Sequence, residues 1–351
     1  MTCNQGRQAQ AISLESPPPA ASSAQAQRSR WARSRSTVLS LAVSGALLIG
    51  LYLSVDLPAV AEVFRGASGG WLLVSLGMIV PITILRAMRF AWVVPAGAVP
   101  GLGEALRLTL VASAFNVFLP TKAGDFVKSY FVAKRGGASA GVAITAIVYE
   151  RLCDLLGMIF WCLSAWLLGP PLLGNLPSFT WLLVGGGGLL CAVLILSERA
   201  ADLSLTVVRR ILVYRKLKVL RDLAEGWPAL HRCLRGRRGG IALLSVFLWF
   251  VHLTQIWLFT VALGVSIPYF ICARLSAVAL MAGQLPLTFG GLGARDVALV
   301  VLFSGYMTPE RAVALGILTA SRGLLPPLAA LPILRPYVSA VVDAGQEWRK
   351  R

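Results

Sequence analysis

Three ionisable residues stand inside one apolar run. Glu150, Arg151 and Asp154 fall within the stretch 138–168. On a helix, 150 and 154 share a face and 151 approaches 154 at i, i+3. Charge at membrane depth is costly, so such residues point to an ion or substrate pathway, or to a structural ion-pair network. An Arg151–Asp154 pair leaves Glu150 over. Glu150 can then meet Arg86, Arg89 or Arg322, or take up a proton.

A second chemistry lies in a repeated breaker. Leu-Pro-x-x-x-Gly occurs at 119–124 and again at 285–290, with its prolines 166 residues apart. Pro120 and Pro286 lack an N–H and end the apolar segments that precede them. Unwound backbone at that depth is tolerated only against protein or a water-filled cavity. Gly124 closes the first copy, and Gly290, Gly291 and Gly293 let backbone approach a ligand closely in the second. Asp125 and the pair Arg295–Asp296 put charge just beyond each break. A helix N-terminus there can hold a phosphate. Paired breaks in corresponding halves are the pattern expected of a central transport site.

The elements that must position these residues follow from composition. Of 351 residues, 57% are hydrophobic and 14% are charged, with net charge +18. Soluble domains carry nearer a quarter charged residues. The chain therefore reads as an all-α integral membrane protein, a polytopic helical bundle of about six to eight spans. Basic residues cluster beside apolar runs, which favours anionic lipid head groups over nucleic acid. The six cysteines form no C-x-x-C pair and read as small apolar residues. His231 and His252 are too few and too far apart for a zinc motif, and no metal or cofactor is expected. Gly-x-Ser-x-Gly occurs at 66–70 and 137–141, but neither copy follows a strand as a hydrolase elbow requires. Ser139 reads better as a helix N-cap.

Residues 1–36 form a basic tail predicted to be disordered and cytoplasmic. Apolar runs follow at 37–55, 71–94, 104–119, 138–168 and 179–196, the last holding the glycine run 185–188. Residues 198–240 hold eleven Lys/Arg and four Asp/Glu. There, Leu205, Val208, Leu212, Val219 and Leu223 suggest an amphipathic helix on the cytoplasmic surface, or a plain solvated loop. Further runs cover 241–265, 270–285, 294–303 and 311–334, before a basic tail at 336–351. The positive-inside rule puts both termini in the cytoplasm of a multi-pass protein of the cell membrane. It also sends the two Leu-Pro segments in from opposite faces. The expectation is an inverted repeat with two re-entrant broken hairpins, repeat one at about 71–196 and repeat two at about 241–334. Arg151 and Arg322 stand in loosely corresponding places.

At Asn116–Asp125, Tyr149–Asp154 and Leu285–Asp296 the chain resembles the lysylphosphatidylglycerol synthase transmembrane-region family. This is a flippase-type membrane domain that occurs alone or fused to a soluble aminoacyl-lipid synthase. The resemblance spans roughly residues 37–335. It implies two inverted repeats, a lipid-translocating role, and functional positions at Asn116, Pro120, Gly124, Asp125, Glu150, Arg151, Asp154, Pro286, Gly291, Gly293, Arg295 and Arg322. Two positions depart from it: Asp296 stands where the family often has Glu, and Lys128 where it often has Arg. Lys keeps the charge but loses bidentate phosphate geometry. No polar region resembles the synthase domain, so aminoacyl transfer is not expected.

The function expected is binding and translocation of an anionic phospholipid, or a lipid-linked substrate, between leaflets. Arg151, Arg322, and Arg86 or Arg89 would hold the head group, and Glu150 and Asp154 would position those arginines or couple to protons. The alternative is a membrane-embedded enzyme or accessory subunit in lipid or lipid-linked glycan synthesis. A separate lipid-modifying enzyme and a second copy of the chain are the protein partners left open.

Overall fold

The computed structural model of the chain describes residues 41–118, 124–167, 178–199, 218–284 and 293–350, with residues 203 and 206. Every regular element among them is a helix. The first is α1 (Leu41–Leu53), which meets α2 (Leu57–Arg65) at an 80° bend. Pro58, in the first turn of α2, favours a new helix start there. Then come α3 (Gly69–Gly77), α4 (Ile79–Val93), α5 (Gly101–Phe118) and α6 (Asp125–Gly136). The long α7 (Ala140–Leu167) and α8 (Ser178–Leu196) precede α9 (Lys218–Cys233) and α10 (Arg238–Ala262). The chain closes with α11 (Tyr269–Ala282), α12 (Ala294–Phe303), α13 (Pro309–Ser321) and α14 (Leu325–Lys350).

Among the described residues, three stretches can cross a membrane by length and composition, Gly69–Val93, Arg238–Ala262 and Pro309–Val341, with the bent α1–α2 pair as a fourth. At 28 residues α7 is long enough for a bilayer, but Glu150, Arg151 and Asp154 interrupt its apolar run. The lipid-facing character shows in large apolar side chains left bare: Leu53 is 82% exposed, Leu73 and Leu182 74% each, and Phe270 72%. Such a surface is unstable in water and ordinary in hydrocarbon.

Both halves contain a helical hairpin. In the first, α6 lies back against α5, and Gly124 is what lets it: a Cβ there would stand 2.5 Å from the Asn116 amide and 2.7 Å from the Ala112 carbonyl. In the second, α11 packs on α12, and a Cβ at Gly283 would stand 3.0 Å from Arg295 Cβ. Pro120, Pro286, Gly290 and Gly291 lie outside the described residues. Ser139 caps α7 as expected, its Oγ accepting the Val142 N–H at 3.3 Å.

The hub is α7, which touches α4, α6, α8, α9, α10 and α11. Two apolar clusters form around it. One gathers α4, α5, α6, much of α7, α9 and Tyr337 of α14; the other gathers α10 to α13 with Leu51, Val60 and Cys162. The N-terminal helices thus pack into the second-half cluster, and the C-terminal helix packs on the first half, where the Tyr337 hydroxyl donates to Glu104 at 2.9 Å. The tail expected from 336 is part of α14 at its start, with Tyr337 buried.

In the basic region, α9 is amphipathic, but its apolar face (Ala224, Trp227, Leu230) is buried against α7 and not spread on a surface. Gly141 and Gly226 meet at the crossing, where a Cβ on Gly226 would run into the Gly141 carbonyl. Of the other residues expected on this face, Leu223 is half-buried, and Leu205, Val208 and Leu212 lie outside the described residues.

Candidate functional site

Three helices of the first half close an ionic network around α7. The i, i+4 spacing turns Glu150 and Asp154 to one side, toward α4 and its fully buried Arg89. Arg89 Nη2 lies 2.5 Å from Asp154 Oδ1 and 3.6 Å from Glu150 Oε1. Lys128 of α6 reaches Glu150 Oε2 at 2.6 Å and Asp125 Oδ1 at 3.8 Å. Its ammonium also stands 4.6 Å from the Phe90 ring centroid, within cation–π range. Arg151 bridges Asp125 at 3.3 Å and Asp154 at 3.0 Å. Asn116 donates to Asp125 at 3.3 Å, and Ser245 Oγ accepts from Arg89 at 3.4 Å. Three cations meet three anions, so the network is neutral. Desolvating each ion costs several kcal/mol, and only this mutual pairing makes its burial tolerable.

Arg86 stands one turn before Arg89. It is half-buried, and no hydrogen bond or ion pair engages it among the described residues. It lies within electrostatic reach of Asp125 and Asp154 on one side, and of His252 and Arg322 on the other. Arg86 is thus common to the neutral network and to a second polar centre.

That second centre is built on α10, α12 and α13. Arg322, at the C-cap of α13, donates Nη1 to Gln255 Oε1 at 3.1 Å and sits 3.3 Å from His252 Nδ1. Gln255 is fixed in turn: its Nε2 donates to the Ser75 carbonyl at 2.9 Å, which leaves the amide oxygen for Arg322. Arg295 is also within electrostatic reach of Arg322. It is forked on Asp296, with Nε at 3.1 Å and Nη2 at 2.7 Å from Oδ1. The other Asp296 oxygen accepts the Gly293 N–H at 3.0 Å and caps α12. Gly293 adopts φ 89°, a left-handed conformation that suits glycine. Asp296 has room because position 316 is glycine, where a Cβ would stand 2.8 Å from Oδ1. With Arg295 neutralised by Asp296, this centre keeps two cations, Arg86 and Arg322, that no carboxylate contacts among the described residues.

A chain with these motifs can be placed among known proteins. The family model described as Lysylphosphatidylglycerol synthase TM region matches residues 37–330. The chain belongs to this family. It is 25% identical over 261 residues to a UPF0104 membrane protein of Methanothermobacter thermautotrophicus, covering 66% of this chain and 75% of that one. It is 18% identical over 298 residues to a UPF0104 membrane protein of Methanocaldococcus jannaschii, covering 80% and 88%.

In this member of the transmembrane-region family, the residues singled out by sequence fall into two groups. Asn116, Gly124, Asp125, Glu150, Arg151, Asp154 and Arg89 come together around α7. Gly293, Arg295 and Asp296 cluster at the α12 N-terminus, with Arg322 in electrostatic reach. Glu150 does meet Arg89, but its closest cation is Lys128. Arg151 is spent on carboxylates, whereas Arg322 faces a histidine and an amide. Sequence reasoning missed His252 and Gln255 as participants, and it noted Lys128 only as a departure from the family's usual Arg. His252 and Gln255 did leave a signal, being polar residues at i, i+3 in an otherwise apolar span. Lys128 stands at i, i+3 from Asp125, but its main partner lies 22 residues away on another helix.

Proposed function

We propose that this chain binds the phosphate of an anionic phospholipid between its two halves and carries the lipid from one leaflet to the other. What carries the reading is the pair Arg86 and Arg322: two cations, half-buried or more, that meet no carboxylate among the described residues, beside an ionic network that is already neutral. A phosphodiester supplies the missing anion, and the planar guanidinium fork suits its oxygens. A cavity of about 200 Å³ adds support. It runs between Leu48, Leu51 and Tyr52 of α1 and Val313, Ile317 and Ala320 of α13, and ends on Asp296. An apolar groove of this kind, ending near charge, suits a lipid whose acyl chain and head group part there. The neutral network is the rigid counterpart that holds α4, α6 and α7 in place while the centre changes occupancy.

The test is translocation of fluorescent phosphatidylglycerol in proteoliposomes, followed by reduction of outer-leaflet label. Arg322→Ala and Arg86→Ala are expected to slow it at least tenfold. Both variants moving the lipid at the wild-type rate would sink this reading.

A further inference from the structure

We infer that His252 binds one proton for each anion that occupies the cationic centre, so that anion and proton are taken up together. The inference rests on the anion site proposed above and on one piece of geometry. A guanidinium has only N–H donors. The 3.3 Å contact between Arg322 Nη1 and His252 Nδ1 therefore requires Nδ1 to be an unprotonated acceptor. Imidazolium has a donor at both nitrogens, so a protonated His252 cannot keep this contact. In this arrangement Arg322 holds His252 neutral.

The surroundings enforce the same choice. From α4, Arg86 and Arg89 face His252; from α13, Arg322 does; from α7, Asp154 alone supplies negative charge. That carboxylate is already occupied by Arg89 at 2.5 Å and Arg151 at 3.0 Å. The helices α3 and α8 also pack against α10 and carry no charged residue, and α11 adds one more cation, Arg274. An arriving phosphodiester changes both terms. It draws Arg322 off Nδ1, freeing that lone pair, and it adds a negative charge beside the ring. A proton from solvent then binds Nδ1. When the anion leaves, Arg322 returns to Nδ1 and the proton goes back to water.

The carboxylates of the neighbouring network are poor carriers of this proton. Glu150 lies between Lys128 and Arg89, and Asp154 between Arg89 and Arg151. Protonating either forfeits two ion pairs, whereas protonating His252 in the occupied centre forfeits none. Linkage then fixes the sign: if the anion promotes protonation, protons promote anion binding by the same factor.

The experiment measures binding of phosphatidylglycerol to the purified full chain between about pH 5.5 and pH 8, a range in which imidazole titrates and a phosphodiester does not. Wild-type affinity is expected to rise on acidification by up to tenfold per pH unit. His252→Asn places an amide oxygen where Nδ1 stands and cannot take the proton; its affinity is expected to stay at the weaker alkaline level at every pH. A wild-type pH profile in His252→Asn would overturn the inference. As a second reading on the unmodified protein, adding the lipid in weak buffer near pH 7 should draw close to one proton per lipid bound. No uptake would overturn it too. Full binding by Arg322→Ala at every pH would remove the anion site itself, and the coupling with it.

Discussion

Glu150 is the residue on which the neutral network turns, because it is fully buried and stands between Lys128 at 2.6 Å and Arg89 at 3.6 Å. Removing its charge leaves Lys128 buried with only Asp125 at 3.8 Å for company. Breaking one side of a buried pair typically costs about 3–5 kcal/mol, most of it from the charge left behind. Glu150→Gln is therefore expected to lower the melting temperature in detergent strongly. Adding Lys128→Met should recover a large part of the loss, since Arg89, Arg151, Asp125 and Asp154 remain as two cations and two anions. Additive losses from the two substitutions would show that no coupled network exists. Much of this is legible in the chain. Ionisable residues at 150, 151 and 154 inside an apolar run announce a buried network by their types and spacing. Arg89 stands among the partners that the chain offers for Glu150, but the closer contact with Lys128 is not legible, since only packing decides which helix brings a lysine beside α7. His252 leaves only a weak signal, a polar residue three before Gln255 in a largely apolar span, and its role is visible only once Arg322 is seen beside it.

Helix existence and type are legible almost throughout, because apolar runs between breakers leave the backbone no other way to satisfy its hydrogen bonds in lipid. What an amphipathic face meets is not. The face of α9 reads the same whether it rests on lipid or on α7, and the crossing of Gly141 with Gly226 decides for α7. Gly226→Ala would push a methyl into the Gly141 carbonyl, and overpacking at such a crossing costs roughly 1–3 kcal/mol. The run 185–188 offers a contrast on α8: a Cβ at Gly185 meets nothing within 4 Å, whereas one at Gly188 meets Ile159 at 2.6 Å. Gly185→Ala is expected to be neutral or stabilising by about 0.5–1 kcal/mol through helix propensity. Thermal melts of the two variants check the ordering. Equal effects from Gly226→Ala and Gly185→Ala would mean that α9 is not held by this contact.

The whole molecule is wound so that each end of the chain supports the opposite half: α1 and α2 pack with the second cluster, and α14 packs on the first. The cationic centre lies where the halves meet, with Arg86 from α4, His252 from α10 and Arg322 from α13. If the chain carries an anionic lipid as proposed, the charge of this centre has a consequence in an energised membrane. A lone anion crossing the full potential changes free energy by about 2.3 kcal/mol per 100 mV. If His252 takes one proton with each phosphodiester, the pair crosses as a neutral unit and that term vanishes. In proteoliposomes holding a potassium diffusion potential, wild-type translocation of phosphatidylglycerol is expected to be nearly independent of the sign and size of the potential. His252→Asn still binds the anion but carries no proton, so its net flux should respond to the potential by up to about fifty-fold per 100 mV. A wild-type flux that follows the potential as steeply as the variant's would mean the anion travels alone. The centre would then be an anion site without proton coupling, and the two cations, not the histidine, would set the energetics of the step.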